Sequence, residues 1–170
     1  MTSAPDPAAS HAADADDGPG LARCVLGAFI GALAFLTVMG VGIALIRIML
    51  RPDDLMQPGS WQSSTNLDVI AIVLSAMGAF LAGFLSRTIG GAGKAVAMMV
   101  VALLCATIVW GMLRSSVGQD MARNAEDEGA MALRIVPGAL WVWGVPVAAT
   151  IAALLGGRLG ARVLHAFLGG

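Results

Sequence analysis

Hydrophobic positions gather into four stretches, none of which contains Asp, Glu, Lys, Arg or His. They cover residues 24–46, 69–86, 95–113 and 135–157, and each holds 18 to 23 residues. A helix rises about 1.5 Å per residue, so each stretch matches the roughly 30 Å hydrocarbon core of a bilayer. The pattern predicts an all-α fold, a four-helix transmembrane bundle.

Polar segments set the limits of the predicted domains. Residues 1–20 are rich in Ala, Asp, Pro and Ser and show no periodicity, so we expect a disordered acidic tail. Residues 21–162 form the predicted four-helix membrane domain, and residues 163–170 form a C-terminal tail. Between spans, residues 47–68 predict a polar connection and residues 87–94 a short glycine-rich link.

The amino-acid composition is typical of a membrane protein and indicates a bacterial origin. Hydrophobic residues make up 58% of the chain and charged residues only 12%, about half the usual share for soluble domains. The net charge is −1, and the sequence contains no run of basic residues of the kind that binds nucleic acid. Lys94 is the only lysine and tyrosine is absent, which is typical of a GC-rich bacterial genome. We therefore predict a bacterial plasma (inner) membrane.

Orientation depends on the basic residues, which are divided five against five between the two sides of the membrane. The link 87–94 carries two basic residues and no acid, which favours the cytoplasm for that side. Four tryptophans fall at the opposite face, as an interfacial belt would: Trp61, Trp110, Trp141 and Trp143. Both termini are therefore predicted to be cytoplasmic.

Two segments resemble ligand-binding motifs but lack residues that those motifs require. A phosphate-binding loop needs glycine at Thr88 and a hydroxyl at Ala95, so residues 88–95 are better read as a turn. The acidic residues 126–128 are consecutive and cannot all face one cation, and neither His11 nor His165 has a second ligand at metal spacing. We predict no catalytic, cofactor-binding or metal site, hence no enzyme.

Small residues at a spacing of four form the most specific pattern, because they let helix backbones approach closely in lipid. In the fourth span, Pro146 predicts a kink. The predicted helix-packing residues are Gly27, Gly31, Gly78, Ala82, Ala148, Ala152, Gly156 and Gly160. They serve either packing within one bundle or association between copies of the chain.

Polar side chains within the spans are few: mainly Thr37, Ser75, Thr107 and Thr150, plus Cys105. No carboxylate or histidine lies near the midplane, where a proton-coupled transporter would need one. The two cysteines, Cys24 and Cys105, lie at different depths and are not expected to pair.

Three segments carry a family resemblance: residues 82–87, residues 154–162, and the Trp141/Trp143 pair that opens the last helix. With them the chain resembles a loose group of uncharacterised bacterial four-helix integral membrane proteins. The resemblance covers about residues 24–162. It implies the topology and brings no activity.

Two functions remain open. The first is a small non-enzymatic integral membrane protein that acts through helix–helix contacts, as an accessory or scaffold component. The alternative is a subunit of an oligomeric transporter or channel. The expected partners are the lipid bilayer and either a second copy of the chain or an unrelated membrane protein, and no cofactor is expected.

Overall fold

A computed structural model describes residues 20–58, 62–117 and 137–168. Its helices are α1 (Leu21–Met49), α2 (Pro52–Leu55), α3 (Thr65–Gly90), α4 (Gly93–Val117) and α5 (Ala139–Leu168). All but α2 are long and apolar enough to cross a membrane, and the described residues contain no strand beyond one isolated bridge. The prediction of an all-α, four-helix transmembrane bundle is therefore confirmed. The predicted disordered tail, except Gly20, lies outside the described residues, as do His11 and the acidic run 126–128.

The helices extend beyond the charge-free stretches. Helix α3 includes Asp68 in its first turn and Arg87 in its last, and α5 continues past Arg158 and Arg162. Residues 163–168, assigned to a tail from the sequence, thus belong to the last helix, which begins at Ala139 rather than at residue 135. Long basic side chains can reach the headgroups from a helix that is still in the interface, so a charge-free window underestimates helix length.

The link between the second and third spans is shorter than predicted. Only Gly91 and Ala92 separate α3 from α4, whereas the sequence suggested eight residues. Gly91 has φ 70°, and its N–H donates to the Arg87 carbonyl, which closes the end of α3. Because this left-handed conformation is unfavourable for residues with a Cβ, glycine is required at the turn.

Helix α3 is the centre of the bundle. Its most extensive contacts are with α5, which runs parallel to it, followed by those with the antiparallel α1, whereas α4 contacts all three more lightly. Where the helices meet, the core is built mainly from small residues with two larger side chains, Phe35 and Met99. Ala79 and Ala82 of α3 and Ala153 of α5 complete this core. The arrangement lets backbones, rather than long side chains, form the contacts.

Gly156 provides a direct test of this packing. A Cβ at Gly156 would collide with the backbone carbonyl oxygen of Phe80, which cannot rotate away, whereas a Cβ at Gly40 would meet nothing. We expect Gly156→Ala to destabilise the bundle by about 2 kcal/mol, because the helices must separate. Gly40→Ala, the matched control, should change stability by less than about 1 kcal/mol.

Thermal unfolding of both variants in a mild detergent measures the difference. Equal midpoints for the two alanine variants would contradict the close contact between α3 and α5.

Candidate functional site

The glycines of α1 lie directly on the backbone of α3. A Cβ at Gly27 would be 2.6 Å from the amide nitrogen of Gly90 and 2.8 Å from the carbonyl oxygen of Ser86. A Cβ at Gly31 would be 2.8 Å from the carbonyl oxygen of Ala82. At this separation Cα–H groups can contact carbonyl oxygens across the interface. The predicted pair Gly27/Gly31 is thus in contact with α3.

Further along the same contact, Gly78 and Ala82 of α3 are both buried. Gly78 lies under the side chains of Phe35 and Val38, where a Cβ would be 3.2 Å and 3.3 Å from the nearest carbons. The structure therefore brings four of the predicted packing residues into one interface, between α1 and α3.

The predicted small-residue face of α5 is divided in two. Gly156 and Gly160 are buried against the carbonyl oxygens of Phe80 and Phe84, and Ala152 is half-buried beside the core. Ala148 instead opens to the outside. A spacing of four advances about 40° around an α-helix at each step, so four such residues cannot all face one neighbour. Ala153, almost fully buried, holds the inward position that the strict spacing missed.

On its outer side, α5 carries a shallow open depression, here called the α5 groove. Its lining comes from one helix: Leu140, Trp143, Gly144, Val147, Ala148 and Ile151. Ala148 forms the low part because its side chain is short, whereas Gly144, one turn earlier, has its Cβ position filled by the Ile72 side chain of α3. Trp143 is 75% exposed and Val147 is exposed beside it. The groove is entirely apolar in its side chains except for the indole N–H.

A buried polar cluster lies at the end of the bundle where α3 and α5 begin. Ser63 is 1% exposed and Asp68 4% exposed. The Ser63 hydroxyl donates to Oδ1 of Asp68 at 2.5 Å, and its oxygen accepts the N–H of Gly138 at 2.7 Å. One hydroxyl therefore connects the 56–63 loop, the first turn of α3 and the residue before α5.

Local structure positions each member of this cluster. An antiparallel bridge between Met56 and Ser63 closes the loop, and Ser64 caps α3 by accepting the Leu67 N–H at 3.3 Å. Asp68 then lies in the first turn, where the helix dipole favours a negative charge. Glycine is needed at position 138, because a Cβ there would collide with Oδ2 of Asp68.

Sequence reasoning missed this cluster. It assigned Asp68 to a polar connection, since the residue immediately precedes a charge-free stretch. The structure instead buries Leu55 and Met56 of this connection at 2% exposure. The available signal was Ser64, a favoured N-cap residue placed just before the apolar run.

Inside the bundle, the described residues leave little space. A cavity of about 10 Å³ lies among α1, α4 and α5. That is at or below what one water needs. Thr107 and Thr150 line it, but their hydroxyls donate to the Leu103 and Pro146 carbonyls of their own helices. This cavity is therefore too small for a hydrated path.

The described residues form neither a metal-binding site nor a disulfide. These contain no group of three or more His, Cys, Asp or Glu side chains that could hold a metal ion. Cys24 is buried and donates a long 4.0 Å hydrogen bond to the Gly90 carbonyl, whereas Cys105 is exposed on α4, and no disulfide joins them. His165 is exposed near the end of α5.

Comparison with protein-family models, with curated proteins and with solved structures gives no match to this chain. The resemblance to bacterial four-helix membrane proteins therefore stays a prediction. The class that the fold defines is a multi-pass, four-helix membrane protein.

The polar cluster can be tested by removing its shared hydroxyl. Ser63→Ala would leave the Asp68 carboxylate and the Gly138 N–H buried without this partner, and we expect a loss of about 2–3 kcal/mol in the free energy of unfolding. Thr107→Val is the matched control, because the Thr107 hydroxyl bonds only within its own helix.

Unfolding of both variants in detergent, followed by circular dichroism, gives the comparison. If Ser63→Ala unfolds no earlier than Thr107→Val, the cluster does not fasten the loop to the bundle.

Proposed function

We propose that this chain is a small non-enzymatic integral membrane protein that acts through helix–helix contacts, as an accessory or scaffold component. The observation that carries the proposal is the α5 groove, which lies on the outer surface of the bundle. The partner that fits it is a transmembrane helix of another membrane protein.

The physical reason is the same as for packing within the bundle. Apolar side chains gain little by leaving lipid tails for one another, so association needs close approach of backbones. At Ala148 the α5 surface is low enough for a second helix to approach, and the exposed Trp143 and Val147 provide large contacts beside it. The buried glycines Gly156 and Gly160 are already used against α3 and leave no room for a partner.

The second candidate is a subunit of an oligomeric transporter or channel. Asp68 favours it, because a carboxylate that is 4% exposed at one end of a membrane bundle is a residue type that transport proteins use. Since the cavity among α1, α4 and α5 is too small for a hydrated path, we place such a pathway between subunits.

We further propose a bacterial plasma membrane as the location, with both termini in the cytoplasm. The support is the scarcity of lysine together with the absence of tyrosine, and the basic residues Arg87 and Lys94 on either side of the turn between α3 and α4. Trp110 and Trp143 are both exposed near the opposite end of the bundle, as interfacial residues would be. Of the other two residues of the predicted belt, Trp141 is half-buried and Trp61 lies outside the described residues.

Filling the α5 groove tests the leading proposal. Ala148→Leu raises the low part of the groove, and we expect it to weaken the binding of a partner by about 5- to 150-fold, equivalent to about 1–3 kcal/mol of overpacking. Ala44→Leu, at an exposed position of α1, is the matched control. Tagged full-length protein is extracted from native membranes in mild detergent, and its mass and co-purifying proteins are determined.

A stoichiometric unrelated membrane protein that is lost only with Ala148→Leu supports the accessory role. A homo-oligomer that conducts ions in liposomes supports the transport alternative. Retention of the partner by both variants would eliminate the groove as its binding surface.

Orientation is tested by labelling single cysteines in intact cells. With Cys24 and Cys105 replaced by alanine, Gln62→Cys should react with an impermeant thiol reagent and Ala92→Cys should not. Gln62 is exposed in the loop before α3, and Ala92 lies in the turn at the opposite end. The reverse labelling pattern would place the termini outside.

A further inference from the structure

Charge is distributed unevenly between the two ends of the bundle. The end that holds the α3–α4 turn carries five basic residues, here called the basic cluster: Arg23, Arg87, Lys94, Arg158 and Arg162. The only acidic residues within the described ranges are Asp53, Asp54 and Asp68, and all three lie at the opposite end. Within the described part, the basic cluster therefore has no carboxylate to neutralise it.

Arg87 is the centre of the cluster, because it lies between three helices. Its stem crosses α5 at Gly160, where a Cβ would be 3.3 Å from Cβ of Arg87 and 3.5 Å from Cγ. Its guanidinium reaches the start of α4, where Nη1 would be 3.3 Å from a Cβ on Gly93. Small residues on both neighbouring helices thus make the space that the side chain occupies.

The guanidinium is held without a matching acceptor. Nε of Arg87 is buried and has no hydrogen-bond partner among the described residues. The neighbouring N-terminus of α4 contributes a partial positive charge, which is unfavourable beside a cation and favourable beside an anion. An anion lying against the remainder of the guanidinium would offset the positive charges of Arg87 and of this helix terminus.

The other basic residues surround Arg87 from separate helices. Arg23 is held against the end of α3 by a 3.0 Å hydrogen bond from its Nε to the Ile89 carbonyl. Lys94 is exposed immediately after Gly93, and Arg158 and Arg162 are exposed one turn apart on either side of Gly160. Their charges therefore converge on one end of the bundle, at the level where the spans leave the hydrocarbon core.

We propose that the basic cluster binds the headgroup phosphate of an anionic phospholipid, and that Arg87 is the central residue in contact with the phosphate. A guanidinium presents two parallel N–H donors that match phosphate oxygens, and exposed basic residues at the membrane surface add electrostatic attraction. The bilayer supplies this ligand at the depth where the cluster lies. The inference is independent of the accessory role and of which way the chain faces.

The test measures lipid selectivity of the full-length protein. Protein in maltoside detergent is incubated with equal amounts of phosphatidylglycerol and phosphatidylcholine, and native mass spectrometry counts the lipids retained. The unmodified protein should retain phosphatidylglycerol in preference. Arg87→Gln should lower the ratio about fivefold, the effect of about one basic residue at a membrane surface.

Two further variants keep the result interpretable. Lys94→Gln with Arg158→Gln changes only exposed side chains, so it should fold normally and still lower the ratio. Arg47→Gln, at the opposite end, is the matched control and should leave the ratio unchanged.

Three results would overturn the proposal: equal retention of the two lipids by the unmodified protein, an equal loss with Arg47→Gln, or complete displacement of phosphatidylglycerol by millimolar inorganic phosphate. The last would assign the cluster to a soluble anion instead of a lipid.

Discussion

Contact between helix backbones at α3 is the constraint on which this bundle depends. On one side, Gly27 and Gly31 lie against the Ser86 and Ala82 carbonyls of α3; on the other, Gly156 lies against the Phe80 carbonyl. Such contacts are individually weak, but they recur along both faces of one helix. In lipid, where no hydrophobic force gathers the helices, this approach is what selects the neighbours of α3.

Tight packing around α3 determines where functional chemistry can lie. The small residues bring the helices close together, and the cavity among α1, α4 and α5 measures only about 10 Å³. The remaining possibilities are the outer surface and the two ends. The outer surface provides the α5 groove, one end provides the buried Ser63–Asp68 pair, and the other provides the basic cluster around Arg87. None of these needs a path through the centre.

The sequence predicts part of this structure well. Charge-free stretches identify the four spans, because no charged side chain can lie in hydrocarbon without cost. The spacing of Gly27/Gly31 and Gly78/Ala82 identifies residues that meet between α1 and α3. Ala148, predicted on the same face as Gly156 and Gly160, opens to the outside instead, since a spacing of four drifts around the helix.

Other features could not be predicted, because they depend on contacts between segments far apart in the chain. Asp68 and Gly138 are 70 positions apart, and nothing local indicates that one hydroxyl would join them. Leu55 and Met56 form a short apolar pair in a polar segment, so their burial was not visible from the sequence. The same holds for Arg87, whose neighbours Gly93 and Gly160 come from two other helices.

The parallel contact between α3 and α5 is tested most directly by disulfide cross-linking in native membranes. Arg87→Cys with Gly160→Cys is introduced with both native cysteines replaced by alanine and a protease site placed within residues 118–136. A Cβ at Gly160 would lie 3.3 Å from that of Arg87, so oxidation should keep the two fragments joined after cleavage. Arg87→Cys with Gly144→Cys should leave them separate, because 16 helical residues, about 24 Å, separate Gly144 from Gly160. Cross-linking of the second pair but not the first would contradict the parallel register of α3 and α5 and the bundle built on it.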